Sequence, residues 1–349
     1  MLMVPDMVSP LFSEGKAPNR NKCLLDLLVA SVFSVFLAVA LFYATLEAPY
    51  ILDRILLNYF PDIFWEFEER ERFLNYVRPI GYVSLLVVII LIILGFIYRK
   101  HSISATGSVA TYLPIFGYFA YAMFFLAGIG VIRVLWLPIF DISPNILRLG
   151  HIVLSPYWLL LKLFRTYSDP ETFLFMLGSL RCSIICIIFV GILIFVFGST
   201  TWLYGKFRGY DIIDFWIYRY SRHPQYLGYI VWSYGVLSLV LNTPYVRGAF
   251  HIPPSSIWVV STMIIIGVAL REEIDMLRLY GKKYEEYQKR TPFLVPLPRS
   301  LLKVLLAPSK IITKNQPRNS REILAVLAIY TAIIFLLSYI FISLSAVEW

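Results

Sequence analysis

The chain has 349 residues, of which 59% are hydrophobic and only 15% are charged. This composition excludes an ordinary water-soluble protein, because so few charged residues cannot cover a solvated surface. The formal net charge is +9, and most of the excess lies in loops beside apolar segments, which indicates anionic lipid headgroups rather than nucleic acid as the partner. Three cysteines and four scattered histidines lack the spacing of a disulfide framework or a metal site, so we expect no metal.

Seven apolar runs are long enough, or nearly so, to cross a bilayer as helices, since a bilayer core requires about 20 residues. They predict an all-α fold, a polytopic bundle of about seven transmembrane helices. The segment 146–164 is also apolar, but His151, Pro156 and Lys162 interrupt it, and we interpret it as interfacial or re-entrant. The seven runs are residues 24–46, 79–98, 112–132, 178–200, 225–241, 255–270 and 324–345.

The loops indicate which ends of these runs face the cytoplasm, because Lys and Arg are enriched in cytoplasmic loops. Seven spans with a cytoplasmic N-terminus place residues 1–23, 99–111, 201–223 and 271–323 on that side, and these segments hold most of the 31 basic residues. An eighth span at 146–164 would move two of these segments outside. The sequence therefore predicts an integral, multi-pass membrane protein with a cytoplasmic N-terminus.

Two neighbouring runs, 225–241 and 255–270, are separated by a short turn region and predict a helical hairpin. The two open ends of a hairpin meet at the same membrane surface, so residues far apart in sequence come together there. Polar residues stand at both ends, Arg222-His223 at the first and Arg271-Glu272-Glu273 at the second. We expect these residues to form one candidate site on the cytoplasmic face.

The first end has the features of a helix start. Pro224 suits the first helical turn, where its missing N–H costs nothing, and His223 before it is pushed towards extended geometry. The free N–H groups that follow form a partly positive end that is able to hold a carboxylate or a hydroxyl. Arg219 and Arg222 add planar donors that match a carboxylate or a phosphate.

The second end supplies the opposite charge. Glu272 and Glu273 directly follow an apolar run, where an unpaired charge is expensive, so at least one of them requires a partner. A structural ion network with Arg222, Arg219 or His223 would provide that partner. A cationic ligand, such as an ammonium group, would provide it equally well.

The sequence after this pair predicts an amphipathic helix that lies on the membrane surface. Its one face carries Tyr280, Tyr284 and Tyr287 at positions i, i+4 and i+7. A second interpretation is that this helix also covers a cofactor.

Three motifs follow one another in this part of the chain: Arg222-His223-Pro224-Gln225-Tyr226-Leu227-Gly228, Glu272-Glu273 and Tyr280-Gly281-Lys282-Lys283-Tyr284-Glu285-Glu286-Tyr287. In order and spacing they resemble the isoprenylcysteine carboxyl methyltransferase and phospholipid methyltransferase family. The resemblance covers about residues 200–298. We therefore divide the chain into 1–199, transmembrane helices of unassigned role, 200–298, a methyltransferase-like catalytic region, and 299–349, a basic linker with a last transmembrane helix.

The resemblance implies an S-adenosylmethionine-dependent methyltransferase whose lipid or lipidated acceptor arrives from the bilayer. It makes Arg222 and Arg271 candidates for the acceptor side and Glu273 the glutamate that we expect to matter most. An isoprenylcysteine carboxylate needs no general base, whereas a phospholipid amine must first lose a proton, and the sequence does not choose between them. The cofactor-binding candidates are His223, Pro224, Tyr226, Gly228, Glu272, Glu273 and Tyr284.

Two other functions compete with methyl transfer. NADPH-dependent membrane sterol and steroid reductases carry a related motif, but here position 225 is Gln rather than Asn, and Tyr229 rather than an acid follows Gly228. The second alternative is a membrane transporter or scaffold in which the same charged residues form a buried ion network. Transporters often contain inverted repeats and broken central helices, and no repeat is visible in this sequence.

Overall fold

The computed structural model of the protein describes residues 20–57, 67–97, 137–167, 169–240, 254–313 and 317–345. Within these ranges all regular structure is helical, which confirms the predicted all-α class. The α-helices of the described ranges are α1 Arg20–Leu57, α2 Phe67–Ile97, α3 Leu137–Ile142, α4 Ser155–Tyr167, α5 Pro170–Phe207, α6 Pro224–Val240, α7 Ser255–Tyr280, α8 Lys282–Arg290, α9 Arg299–Ile312 and α10 Ser320–Ser345.

Four helices of the described chain, α1, α2, α5 and α10, are long and apolar enough to cross a membrane. They contain the predicted runs that begin at residues 24, 178 and 324 and all but the last residue of the run that begins at 79, so the membrane character of the protein is supported. The predicted run 112–132 lies outside the described residues. α6 is described over 17 residues, up to the edge of the described range at Val240, and the last two turns of α7 are charged. The count of seven spans is therefore not confirmed.

The segment 146–164 is not a continuous helix. Short 3₁₀ helices cover Pro144–Arg148 and His151–Leu154 before α4 begins. The His151 ring packs into the protein, where its Nδ1 lies 2.7 Å from the Ser255 hydroxyl oxygen. These breaks agree with a segment that does not simply span the bilayer, while its interfacial position stays a prediction.

α5 and α6 pack closely because glycines remove side chains from their interface. A Cβ on Gly228 would lie 2.6 Å from the backbone nitrogen of Phe195 and 2.7 Å from the carbonyl oxygen of Gly191. Small residues allow this close approach of membrane helices, where dispersion contacts rather than the hydrophobic effect hold helices together. The α5–α6 pair thus fixes the position of the N-terminus of α6.

Residues 299–312 form a helix, α9, where we expected a linker. Its leucines and valine are largely exposed, with Val304 at 69% and Leu301 at 47%. The Tyr330 hydroxyl of α10 donates a hydrogen bond to the Leu305 carbonyl oxygen. Apolar residues interspersed with lysines are typical of a helix that lies on a membrane surface. The segment that we predicted to be a linker has this pattern, which explains why it is helical.

Candidate active site

The segment before α6 is attached to the chain that follows α7. α6 begins at Pro224, as predicted. The backbone N–H of Arg222 donates to the carbonyl oxygen of Pro292 at 3.0 Å. The hydroxyl of Tyr287, on α8, donates to the carbonyl oxygen of Tyr218 at 2.7 Å. These two bonds hold α8 against the entrance to α6, which closes the open end of the α6–α7 hairpin.

Glu273 lies at the centre of a buried polar cluster. Its Oε1 accepts a hydrogen bond from the Tyr284 hydroxyl at 3.0 Å and lies 3.0 Å from His223 Nε2. Its Oε2 accepts from Arg222 Nη1 at 2.5 Å and from Gln288 Nε2 at 2.6 Å. The carboxylate therefore binds the start of α6 on one side and two successive turns of α8 on the other.

The pKa values in this cluster follow from burial and from the neighbouring donors. Burial opposes ionisation of Glu273, which is 3% exposed, but the hydrogen bond from His223 and the positive charge of Arg222 outweigh it and hold the pKa of Glu273 below its ordinary value. Burial and the negative charge of Glu273 raise the pKa of the Tyr284 hydroxyl. Glu273 is thus a carboxylate at neutral pH, and Tyr284 is a neutral donor to it.

Glu272 lies beside this cluster and contacts a different set of groups. Its Oε1 accepts a hydrogen bond from the Tyr226 hydroxyl at 2.6 Å, and its Oε2 lies 3.8 Å from His223 Nδ1. The side chain of Glu272 is 15% exposed, whereas that of Glu273 is 4% exposed. Of the two glutamates, Glu272 is the one that an incoming molecule reaches more easily.

Aromatic rings surround the histidine. The His223 ring centroid lies 5.7 Å from that of Tyr226 and 5.1 Å from that of Phe293. The Arg222 guanidinium lies 5.7 Å from the Phe293 ring centroid. Aromatic faces next to carboxylates attract cationic ligands. Without counting His223, the charges of Arg222, Glu272 and Glu273 leave this cluster with an excess negative charge, which also favours a cation.

Two predicted site residues lie apart from the cluster. Gly228 packs against the backbone of α5, which gives it a role in helix packing. Arg271 is buried, and its guanidinium contacts the Ser320 hydroxyl at 3.2 Å and Asp275 at 3.4 Å. Arg271 therefore connects α7 to the start of α10.

Two residues that we did not predict belong to the cluster. Gln288 donates to Glu273, and Phe293 packs against His223. Gln288 follows Tyr284 by four residues, so helical spacing places both on one face of α8. That spacing was visible in the sequence. The position of Phe293 depends on the Arg222–Pro292 backbone bond and has no signal in the sequence pattern.

Comparison with known proteins places this cluster in a family context. Residues 181–291 match a family model described as a protein of unknown function, DUF1295. This stretch includes the second half of α5 and all of α6, α7 and α8. It contains every residue of the Glu273 cluster except Phe293. No solved structure matches the chain.

Three curated relatives are similar to part of the chain. Methanethiol S-methyltransferase 1 of Bradyrhizobium diazoefficiens is 34% identical over 87 residues, 24% of this chain and 26% of the relative. Methanethiol S-methyltransferase of Crocosphaera subtropica is 32% identical over 82 residues, 23% of this chain and 27% of the relative. Protein-S-isoprenylcysteine O-methyltransferase of Schizosaccharomyces pombe is 29% identical over 89 residues, 23% of this chain and 31% of the relative.

These matches confirm the resemblance to membrane methyltransferases that the motifs indicate. The chain spans only about a quarter to a third of the length of the curated relatives that it matches. The relatives share a methyltransferase name, while their named acceptors differ, a thiol in two cases and an isoprenylcysteine in the third. Those names imply a methyl donor, but they do not identify the acceptor of this protein.

Proposed function

We propose that this protein is an integral membrane methyltransferase that uses S-adenosylmethionine and acts on a lipid or lipidated acceptor. The observation that carries the proposal is the Glu273 cluster, in which Arg222 and His223 before α6 meet Glu273 of α7 and Tyr284 of α8. The motifs that resemble the methyltransferase family thus converge on one buried place. The relatives named as methyltransferases support the same activity.

The side chains present suit S-adenosylmethionine chemically. Its sulfonium and ammonium groups are cations, which match the excess negative charge at Glu272 and Glu273 and the rings of Tyr226 and His223. Arg222 Nε is buried and has no hydrogen-bond partner among the described residues. A buried donor without a partner is costly, so an acceptor atom of a bound ligand would satisfy it. Pro224 starts α6 directly after His223.

We assign different roles to the two glutamates. Glu273 is saturated by four donors and acts as a positioning residue that holds α8 over the start of α6. Glu272 is more exposed and borders Tyr226, so it is the carboxylate that we assign to the cofactor. This assignment revises the expectation that Glu273 matters most for binding. To bind a ligand, Glu273 would have to give up hydrogen bonds to its four partners, and one ligand contact would not compensate for that loss of free energy.

The chemistry asks little of the protein beyond alignment and exclusion of water. S-adenosylmethionine would supply a methyl group on a sulfonium, whose sulfur leaves as a neutral thioether, so the protein's main contribution is to align donor and acceptor. α8 covers the cluster through Tyr284 and Gln288 and excludes water from it. An acceptor carboxylate attacks directly, whereas an amine or a thiol must first lose a proton. Glu272 and His223 are the groups that would take that proton.

No residue is assigned to binding the methyl acceptor. Arg222 and Arg271 were its candidates, but Arg222 is bonded to Glu273 and Arg271 to Ser320 and Asp275. We therefore propose Arg222 as a residue that orders the cofactor region and Arg271 as one that orders α10 beside it. A lipid acceptor is supported by the position of the cluster at the end of membrane helices. We place this end on the cytoplasmic side because it carries most of the basic loops.

We also propose residues 200–298 as the catalytic region, between N-terminal helices of unassigned role, 1–199, and the C-terminal part, 299–349. The family match begins at residue 181, and the glycine contacts of α5 with α6 give this earlier start a physical reason. The second half of α5 therefore belongs with the catalytic region.

A reductase and a transporter or scaffold remain the alternatives to be tested. Both would use the same Arg222–Glu273 pair structurally. Neither has the support of the three relatives, which are named as methyltransferases.

The experiment that tests the proposal is transfer of a radiolabelled methyl group from S-adenosylmethionine to an extract of membranes from the source cells. Purified protein in detergent should move label into the extract, and a Glu272→Gln variant should move about tenfold less when S-adenosylmethionine is below saturation. Separation of the products into lipid, protein and volatile fractions then identifies the acceptor class. Glu286→Gln, on the exposed face of α8, removes a carboxylate outside the cluster and should leave transfer unchanged. Absence of label in all three fractions with folded protein would contradict the proposal.

A further inference from the structure

An open cavity of about 490 Å³ lies at the end of α5, apart from the Glu273 cluster. Five aromatic side chains and one arginine form its wall: Tyr204, Tyr210, Phe215, Trp216, Tyr220 and Arg219. None of them belongs to the Glu273 cluster, and the inference below does not rest on the proposed function.

The aromatic lining of the cavity is typical of the level of lipid headgroups in a membrane protein. α5 is a candidate membrane span that ends at Phe207, and Tyr204 is in its last turn. Trp216 is 47% exposed and Tyr220 is 67% exposed. Tyr and Trp side chains concentrate at this level of a membrane because one part of each ring is apolar and another is polar. We therefore place the opening of the cavity where lipid headgroups and water meet.

The backbone of the cavity wall is held in a conformation that few residues adopt. Trp216 has φ of 49°, the only positive φ of a non-glycine residue in the described chain. A bulky residue rarely adopts this left-handed region, and such strain persists where the surroundings enforce it. Here the Trp216 ring stacks on Tyr204, with centroids 5.1 Å apart and planes 29° apart. The Trp216 side chain is thus fixed as one wall of the cavity.

The charge of the cavity is positive. Arg219 forms no ion pair or hydrogen bond with any residue in the described part of the chain. The acidic residues that flank the cavity already have basic partners, since Asp211 pairs with Lys283 at 3.7 Å and Asp214 pairs with Arg290. The Arg219 guanidinium is therefore the charged group that the cavity offers to a ligand. Its planar donors match the oxygens of a phosphate.

We infer that this cavity binds the headgroup of an anionic phospholipid, with the phosphate against Arg219 and the glycerol and first acyl carbons against the rings of Trp216 and Tyr204. The positive charge of the Arg219 guanidinium disfavours a cationic lipid headgroup in this cavity. The headgroup level of the opening favours a lipid over a soluble phosphate compound. A bound lipid at this place would brace the 208–220 segment that leads directly to Arg222.

The test uses purified, delipidated full-length protein in a nonionic detergent and measures binding by calorimetry. The probes are dihexanoyl phosphatidylglycerol, dihexanoyl phosphatidylcholine and inorganic phosphate. Phosphatidylglycerol should bind saturably and at least about tenfold more tightly than the other two. Equal binding of both lipids would overturn the inference. Tight binding of inorganic phosphate alone would also overturn it, by making the ligand a soluble phosphate.

Matched variants locate the binding to this cavity. Arg219→Gln and Tyr220→Ala alter exposed side chains, so both proteins should fold, and each should weaken phosphatidylglycerol binding by about tenfold. Arg321→Gln removes an exposed basic residue at the start of α10 and should change the affinity by less than about twofold. If Arg321→Gln weakens binding as much as Arg219→Gln does, the lipid is held by general surface charge and the inference is wrong.

Discussion

Arg222 Nη1 lies 2.5 Å from Glu273 Oε2, and both side chains are almost fully buried, at 5% and 4% exposure. This ion pair joins the residue that precedes α6 to the charged end of α7. The Glu273 carboxylate has partners on both oxygens, because His223 and Tyr284 contact the oxygen that Arg222 does not. Removing one member of such a pair leaves an uncompensated charge in the protein interior.

Replacing Glu273 by alanine should strongly destabilise the protein. The change leaves Arg222 buried without its carboxylate, which costs about 3–5 kcal/mol of unfolding free energy. Thermal unfolding in detergent, followed by circular dichroism, measures this loss as a lowered midpoint. Glu286→Ala on the exposed face of α8 is the control and should change stability by less than about 0.5 kcal/mol. Equal midpoints for both variants would show that the cluster does not hold α8 in place.

The stability of the wild type should depend on pH through Glu273. Its pKa is lowered in the folded protein, so the carboxylate stabilises the fold fully above the ordinary glutamate pKa, near 4.5, and this contribution is lost as the pH falls through the lower folded value. Thermal midpoints measured from pH 7 down to pH 3 should therefore decline more steeply for the wild type than for Glu273→Gln. Parallel curves for the two proteins would contradict the assigned pKa direction.

Replacing Gly228 by alanine should disturb the α5–α6 interface rather than a ligand contact. A new Cβ would meet the Phe195 nitrogen at 2.6 Å, so the helices must separate, at a cost of about 1–3 kcal/mol. Gly178→Ala on α5 is the matched control, because nothing lies within 4 Å of its Cβ position. Thermal unfolding compares the two variants. Loss of cofactor binding in Gly228→Ala without loss of stability would restore a direct binding role for this glycine.

The two glutamates should separate binding from stability. Glu272→Gln should keep the thermal midpoint within about 2 °C of the wild type, since the amide oxygen of glutamine still accepts the Tyr226 hydrogen bond. It should weaken S-adenosylmethionine binding by about tenfold or more. Glu273→Gln should lower the midpoint as well as the affinity. Calorimetric titration and thermal unfolding of the same samples measure both quantities. Unchanged affinity in Glu272→Gln would return the cofactor carboxylate to Glu273.

The approach of Arg222 to Glu273 could be predicted from the sequence, because two consecutive apolar runs separated by few residues are expected to bring their open ends together. The roles within the site were harder to predict. Gly228 lies in the motif, yet its neighbour is α5, and only the packed structure shows this. Arg271 was predicted beside Glu273, but successive helical residues are turned by about 100° from each other. Two steps place Arg271 on another face of α7, where it contacts Ser320.

The position of α8 was also only partly predictable. The spacing of Tyr284 and Tyr287 indicated one buried face, and both side chains are buried. The direction in which α8 leaves α7 depends on Gly281, whose φ is 52°, a left-handed conformation that favours glycine. That turn folds α8 back over Glu273 and brings Gln288 into contact with the carboxylate.

Calorimetric titration of the purified wild-type protein in detergent with S-adenosylmethionine, and separately with NADPH, tests the central claim most directly. The Glu273 cluster and its negative charge predict saturable binding of S-adenosylmethionine at one site per chain and no binding of NADPH. If the protein binds NADPH and does not bind S-adenosylmethionine, the proposed methyltransferase function is wrong.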